Sequence, residues 1–279
     1  MLSALSMVSA ETWYLARDQV WEPLSAQNKD TFVKANTLLS KGKITKAARS
    51  YDKFLEGCNP ESELYTAALE RQFYIANEFL AGRKKQVLGV FKIKGYAEGE
   101  KIMERISERA GLDDPNGIGI KAAETLTESY QKRKRFDSAY HKWLEIFETY
   151  GRHHRDALLG MARCKHAAYE GPKFDASALI GRAFSENKPY DSAKGCYEDF
   201  KSQYPKDAQK LGVDEKLEQI NEQLAYKDFR TGQYYQRTGN KQAANLYYQM
   251  VIRNWRGTKA AAMADEVLIR NLSSEKIKK

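Results

Sequence analysis

Long hydrophobic runs, cysteine clusters and proline are all scarce in this chain. No segment approaches the roughly 18 consecutive apolar residues of a membrane-spanning helix, which argues against a channel or a transporter. The three cysteines, Cys58, Cys164 and Cys196, are far apart and show no CxxC spacing. Neither a disulfide framework nor a zinc site is therefore expected. Only 6 prolines occur in 279 residues, which suits a helical protein.

Aromatic and charged residues are abundant instead. The chain has 17 Tyr, 11 Phe and 4 Trp, and charged residues make up 30% of it. This composition is typical of a soluble helical protein with much aromatic packing. The formal net charge of +9 favours anionic partners, but the charge is spread along the chain and is a weak pointer by itself.

Five segments of the chain repeat one pattern. Each carries a small residue, a bulky residue four positions later and an apolar residue seven positions later, which is the spacing of one helical face. The small residues are Ala47, Gly99, Ala139, Ala193 and Ala244, the bulky residues are Tyr51, Met103, Trp143, Tyr197 and Tyr248, and the apolar residues are Phe54, Ile106, Ile146, Phe200 and Val251. We expect each segment to be the second helix of a hairpin, with the small residue at a close helix crossing.

The first helices of the hairpins are indicated upstream. Twelve residues before the small position stand Ala35, Thr127, Gly181 and Gly232, and three after those stand Leu38, Tyr130, Phe184 and Tyr235. The second copy has Val87 and Val90 at these places, so no position is predicted for its first helix. Helix breakers follow the second helices at Asn59-Pro60, Asp114-Pro115, Gly151, Tyr204-Pro205 and Arg256-Gly257.

The pattern resembles the tetratricopeptide repeat (TPR). This resemblance implies an all-α fold, an α-solenoid of about five TPR-like helix hairpins. The small positions are 52, 40, 54 and 51 residues apart, whereas such repeats usually measure about 34 residues. We assign the surplus to extended or additional helices, chiefly residues 64–80 and 156–169. Residues 87–93 have the pattern of a short strand, but they are also compatible with part of a helical hairpin.

A narrower likeness rests on Gly42-Lys43, on Tyr204-Pro205 and above all on a C-terminal run. That run comprises Leu224-Ala225, Gly232, Tyr234-Tyr235, Thr238-Gly239, Ala243-Ala244, Tyr247, Val251 and residues 264–268. With these residues the chain resembles the BamD-like lipoproteins of the outer-membrane β-barrel assembly machinery and their periplasmic relatives. The resemblance implies that N-terminal repeats receive unfolded substrate segments while C-terminal repeats dock on the assembly core.

Three regions are expected: an N-terminal segment at residues 1–27, a TPR-like superhelical domain at 28–268 and a basic tail at 269–279. Residues 1–10 end in a small-x-small pattern, Val8-Ser9-Ala10, but have no basic n-region, so they are either a signal-peptide remnant or an ordinary first helical turn. Lipoprotein members carry an acylated cysteine just after a signal peptide, whereas the first cysteine here is Cys58. We expect either a start further upstream or a soluble periplasmic or peripheral relative. The expected location is the periplasm, in association with the outer membrane, and the alternative is the cytoplasm.

Motifs that carry catalytic chemistry are not convincing in this sequence. Residues 117–122 fit the dinucleotide-binding fingerprint, but they follow a turn instead of a strand and are expected to open a helix. Among the four histidines the closest spacing is the adjacent pair His153 and His154, too few for a metal site. We therefore expect a non-enzymatic protein with no cofactor, no metal, no small-molecule substrate and no nucleic-acid partner.

Two basic runs, Arg83-Lys84-Lys85 and residues 132–135, fall where first helices end. Cations at a helix C-terminus complement the macrodipole. The alternatives are contacts with anionic lipid headgroups, as in a peripheral membrane protein, or with nucleic acid.

The first helices of a solenoid line its inner surface, where a peptide or a partner domain binds. Counting along them places nine residues there: Phe32, Asn36, Leu39, Glu124, Glu128, Gln131, Phe229, Gln233 and Gln236. Amides that bond a peptide backbone and aromatics that bury its side chains suit an extended peptide. The alternative is that several of them pack against added helices or a neighbouring protein. The sequence thus predicts a scaffold in outer-membrane β-barrel assembly, or else a generic TPR adaptor for protein–protein interaction.

Overall fold

The computed structural model describes residues 26–87, 91–151, 154–169 and 192–276. These residues form twelve α-helices and one two-stranded β-hairpin. The chain divides into two compact units, Met1–Ser129 and Tyr130–Lys279. None of the helices in the described part is long and apolar enough to cross a membrane.

The first unit is built from antiparallel helix pairs. Its elements are α1 (Ala26–Ser40), α2 (Ile44–Glu56), α3 (Glu63–Leu80), β1 (Lys84–Val87), β2 (Phe91–Lys94), α4 (Tyr96–Ala110) and most of α5 (Ile118–Lys132). Helix α1 packs against α2, α2 against α3, and α3 against α4. Ser62 begins α3, since its hydroxyl accepts a hydrogen bond from the backbone N–H of Leu64 at 3.2 Å.

The second unit continues in the same way. After the end of α5 come α6 (Phe136–Tyr150), α7 (Arg155–Ala167), α8 (Ala193–Gln203), α9 (Pro205–Lys210), α10 (Val213–Arg237), α11 (Lys241–Asn254) and α12 (Lys259–Lys276). Helix α7 packs against both α6 and α8, and α11 packs against both α10 and α12. Side-chain oxygens of Ser192 and Asn240 cap the starts of α8 and α11.

The small, bulky and apolar residues of the repeated pattern are buried, as one helix face directed to the core requires. Ala47, Ala139, Ala193 and Ala244 have no exposed surface, and Gly99 is also buried. All ten bulky and apolar partners are buried. At Gly99 a Cβ atom would lie 2.8 Å from the carbonyl oxygen of Ala76, so the backbones of α3 and α4 approach closely because no side chain separates them. The all-α prediction is confirmed.

Three hairpin turns share one backbone conformation. Gly42, Lys134 and Gly239 stand at the same place in their repeats and have φ angles of 68°, 59° and 84°. In each turn the following N–H bonds a carbonyl five residues earlier, as in Lys43 to Leu38 and Arg135 to Tyr130. This is the Schellman closure of a helix end, which favours glycine. Lys134 adopts the left-handed conformation without that advantage.

The second hairpin carries an insertion at this turn. Its first helix is α3, and Gly82 closes α3 with a φ of 96° before the chain forms the β-hairpin, in which Lys84 pairs with Lys94. The N–H of Gly95 then bonds the Arg83 carbonyl at 3.0 Å and α4 begins. Removing residues 83–94 from the spacing of 52 leaves 40, the spacing of the next pair of copies. The surplus here is therefore a β-hairpin, and residues 64–80 are a first helix instead of an additional one.

The described part of the fourth hairpin is its second helix, α8. Helix α7, which covers most of residues 156–169, packs against α8. Gly160 of α7 lets the indole of Trp143 approach, because a Cβ atom at Gly160 would lie 2.4 Å from the ring. The predicted first-helix residues Gly181 and Phe184 lie outside the described residues.

The prediction places both ends of the chain, residues 1–27 and 269–279, outside the TPR-like domain. Residues 1–25 lie outside the described residues, and so does the signal-peptide alternative for residues 1–10. The predicted tail at 269–279 is helical through residue 276, because α12 runs to Lys276. The described part of that tail thus belongs to the last helix.

Candidate protein-binding surfaces

Three of the nine predicted groove residues are buried within the hairpins. Phe32, Asn36 and Phe229 are 5%, 3% and 1% exposed. The Phe32 ring contacts Tyr51 and Phe54 of α2 and lies 4.7 Å from the guanidinium of Arg71. The Phe229 ring lies 5.5 Å from that of Tyr248. Their assignment to an open groove is corrected, because the second helix and its neighbour cover this side of the first helix.

Amides on the first helices bond side chains of the protein itself. Tyr51 donates its hydroxyl proton to Asn36 Oδ1 at 2.5 Å, and Tyr248 donates to Gln236 Oε1 at 2.6 Å. The two tyrosines occupy equivalent repeat positions, whereas Gln236 stands one helical turn further along its first helix than Asn36 does, so a tyrosine–amide bond recurs with a shifted partner. Burial raises the pKa of Tyr248, which keeps its hydroxyl protonated as a donor.

A third amide, that of Gln131, is also engaged. Its Nε2 lies 3.2 Å from Cys164 Sγ, and burial raises the pKa of that thiol to about 11. The thiol is therefore neutral near pH 7 and unlike the thiolate of a nucleophilic cysteine.

The remaining predicted residues reach the surface. Glu128 and Gln236 are exposed, while Leu39, Glu124 and Gln233 are half-buried. Gln233 and Gln236 lie three residues apart on α10, and Glu124 and Glu128 lie four apart on α5, so each pair shares a helix face. Within each of these two helices, the predicted residues therefore lie beside each other on one face.

Exposed aromatic rings beside Gln233 were not predicted as a site. The ring of Tyr235 stacks on that of Tyr247 at 5.4 Å with an interplanar angle of 20°, and Tyr234 meets Tyr235 edge-on at 5.5 Å. Tyr234 is 56% exposed. The adjacent pairs Tyr234-Tyr235 and Tyr247-Tyr248 are the sequence feature that indicates this cluster. Consecutive residues of a helix point in different directions, so both tyrosines of a pair do not lie on the buried face.

A polar cleft of about 530 Å³ lies between α8, α10 and the loop before α12. Its lining includes Lys194, Asn221, Glu222, Trp255 and Thr258. Glu222 accepts hydrogen bonds from the backbone N–H groups of Lys259 and Ala260, at 2.8 and 3.0 Å. The positive end of α12 is therefore already occupied by a carboxylate of the same chain.

The glycine-rich motif at residues 117–122 begins α5 and has a packing role. A Cβ atom at Gly119 would overlap the carbonyl oxygen of Gly111, at 1.8 Å. The residues before it form turns, not a strand, and a dinucleotide site requires a strand there. Among the described residues no group of three or more His, Cys, Asp or Glu side chains is placed to hold a metal ion.

The described helix hairpins thus expose amides, carboxylates and tyrosines, which are side chains that suit contacts with other proteins. A family model described as an outer membrane lipoprotein, YfiO, matches residues 122–277. The match spans more than half of the chain, and the chain belongs to this family. The BamD-like resemblance of the C-terminal run is thereby confirmed. No curated protein matches the chain.

Proposed function

We propose that this protein is a non-enzymatic scaffold in the assembly of outer-membrane β-barrel proteins, at the periplasmic side of the outer membrane. The observation that carries the proposal is the family match over residues 122–277. Repeat folds serve many functions, so the family supports this role and the hairpin architecture alone does not. The raised pKa of the Cys164 thiol also disfavours nucleophilic chemistry at that residue.

The binding surface that we propose is the exposed part of the predicted groove. In the second unit it consists of Gln233 and Gln236 with the Tyr234, Tyr235 and Tyr247 rings beside them. Rings with a polar tip bury large areas at low entropic cost, and Gln233 has both donors and acceptors for an extended backbone. In the first unit Leu39, Glu124 and Glu128 remain candidates. By the resemblance, the N-terminal surface receives unfolded segments and the C-terminal surface docks on partners.

Site-specific photo-crosslinking tests this proposal. A photoreactive amino acid replaces Leu39 or Gln233, and a matched probe replaces Gln249, which is exposed on the second helix α11. We expect cross-links from the first two positions to unfolded outer-membrane β-barrel chains or to envelope proteins, and few from Gln249. Equal yields at all three positions would contradict the proposed surface.

A pull-down from whole-cell extract distinguishes the two functions that the sequence left open. An assembly scaffold recovers envelope proteins, whereas a generic adaptor of the cytoplasm recovers cytosolic ones. Recovery of cytosolic partners alone would refute the assembly role.

A further inference from the structure

The two hairpin turns of the first unit lie side by side. The guanidinium of Arg83, at the end of α3, lies 3.8 Å from where a Cβ atom of Gly42 would stand, in the turn after α1. The cations carried by these two turns are therefore neighbours. We define the basic turn edge as Lys41, Lys43, Arg83, Lys84 and Lys94, all of which are exposed.

Charge is strongly one-sided at this edge. Residues 38–49 and 79–97 contain nine Lys and Arg and no Asp or Glu. Arg83 pairs with Glu78 at 2.6 Å. Among the described residues no carboxylate forms an ion pair with Lys41, Lys43, Lys84 or Lys94. These four exposed ammonium groups therefore have no carboxylate partner there, although Lys94 Nζ lies 5.6 Å from the centroid of the Tyr96 ring.

The opposite ends of the same helices carry the opposite charge. The C-terminal turns of α2 and α4 meet there, since Asp52 bonds both Arg105 and Arg109. The connections that follow, residues 56–63 and 111–117, contain five Asp and Glu and no Lys or Arg. These connections make this edge more acidic than the basic turn edge despite Arg105 and Arg109, so an anionic surface would attract the basic turn edge more strongly.

The β-hairpin adds a local reason to expect an anion. Lys84 and Lys94 are directly opposite each other in the register, and like charges in that relation destabilise a pair of strands. A two-stranded hairpin is only marginally stable in water. Phosphate groups beside the two lysines would remove this repulsion. Ile93, between Lys92 and Lys94, is 49% exposed, but successive side chains of a strand point to opposite faces, so it lies on the other face of β2 from the lysine pair.

We infer that the basic turn edge binds anionic phospholipid headgroups and rests against a membrane surface. Exposed ammonium groups at tight turns are able to reach a surface of phosphates together, and each adds attraction within a Debye length of it. The family description, outer membrane lipoprotein, gives the chain a membrane nearby. This inference concerns the first unit and is independent of the peptide surface proposed above.

Vesicle sedimentation tests the inference with the full chain. Wild-type protein is mixed with sucrose-loaded phosphatidylcholine vesicles, with or without phosphatidylglycerol, and the bound fraction is measured. The test variant is K41Q/K84Q/K94Q. The matched control is K53Q/K101Q/K121Q, which removes three exposed lysines of the same unit away from this edge.

We expect binding to the anionic vesicles only, weakening as salt is raised. The test variant should lose about 100-fold in partition coefficient, since each lysine near the surface contributes about fivefold. The control should lose much less. Both triple variants retain residues 1–25, so any contribution of that segment is common to them.

Two results would overturn the inference. One is equal binding of the test and control variants to anionic vesicles, with circular dichroism showing both folded. The other is binding to polyglutamate without binding to anionic vesicles, which would assign the edge to an acidic protein instead. A negative result here leaves the cross-linking test of the scaffold role unaffected.

Discussion

Asp52 of α2 and Arg109 of α4 form an ion pair, 2.8 Å between Oδ1 and the guanidinium, across 57 residues of sequence. Asp52 Oδ2 also lies 2.7 Å from Arg105, and its Oδ1 accepts a hydrogen bond from Gln72 Nε2 of α3 at 2.9 Å. One nearly buried carboxylate therefore joins three successive helices of the first unit.

The first prediction concerns this carboxylate. Substitution D52N keeps the shape but removes the charge that both arginines face. We expect the unfolding free energy of the first unit to fall by about 2 kcal/mol, less than for a fully buried pair because the arginines are partly exposed. Urea denaturation followed by circular dichroism measures it.

The control for this experiment is E104Q, which removes an exposed carboxylate of α4. It should change the midpoint little, since isolated surface charges contribute little to stability. Similar losses for both variants would show that Asp52 acts only through net charge.

The second prediction concerns Lys134, whose φ of 59° puts a residue with a Cβ atom in the left-handed region. Gly42 and Gly239 occupy the same place in their turns. Substitution K134G should stabilise the protein by about 0.5 to 1 kcal/mol, because relief of strain exceeds the entropy that glycine adds to the unfolded chain. Thermal unfolding measures the gain, and G239A should show a loss. If K134G instead lowers the melting temperature, the Lys134 side chain has a stabilising role of its own.

The hairpin crossings were predictable because they depend on short-range periodicity. A small residue followed at four and seven positions by bulky ones defines one helix face whatever lies around it, and Ala47, Ala139 and Ala244 are all buried. The β-hairpin was not predictable in the same way. A surplus of spacing shows that residues have been added, but not whether they form a helix or a strand.

The groove residues show a different limit. Phe32 stands three residues before Ala35, a spacing that shares one helix face, so helical spacing favours its burial and its assignment to an open groove did not follow from the count. The count still does not show which neighbour covers that face. In the structure Arg71 of α3 lies over Phe32, and Tyr51 of α2 bonds Asn36. Contacts between residues distant in sequence decided this, and a single sequence does not contain them.

The third prediction is a pH dependence of stability in the second unit. His166 lies against the Tyr197 ring, at 6.1 Å between centroids. Burial lowers the pKa of His166 below its ordinary value of 6.5, and nearby Lys216 lowers it further, while the neighbouring Gln223 amide opposes this shift. The unfolded chain therefore binds the proton more readily than the folded one. Stability is full above the unfolded pKa and is lost as pH falls below it towards the folded pKa.

Thermal unfolding at about pH 7.5 and about pH 5.5 measures this loss. The fall in melting temperature should be smaller in H166Q than in the wild type. Substitution H141Q, at an exposed histidine of α6, should leave the wild-type fall unchanged. If H166Q and the wild type fall equally, protonation of His166 is not coupled to unfolding.

The fourth prediction concerns the start of α12. Glu222 of α10 receives the first N–H groups of α12 from Lys259 and Ala260, while Thr258 Oγ1 accepts from Ala261 at 3.1 Å. Because a carboxylate at a helix N-terminus both accepts these bonds and complements the dipole, E222Q should destabilise the docking of α12 by about 1 kcal/mol. Hydrogen exchange is the informative measurement, since the loss should concentrate in the amides of residues 259–264. The control is E218Q, which changes a carboxylate one turn earlier on α10 that lines the same cleft. Equal protection of α12 in the two variants would mean that Thr258 alone holds the helix start.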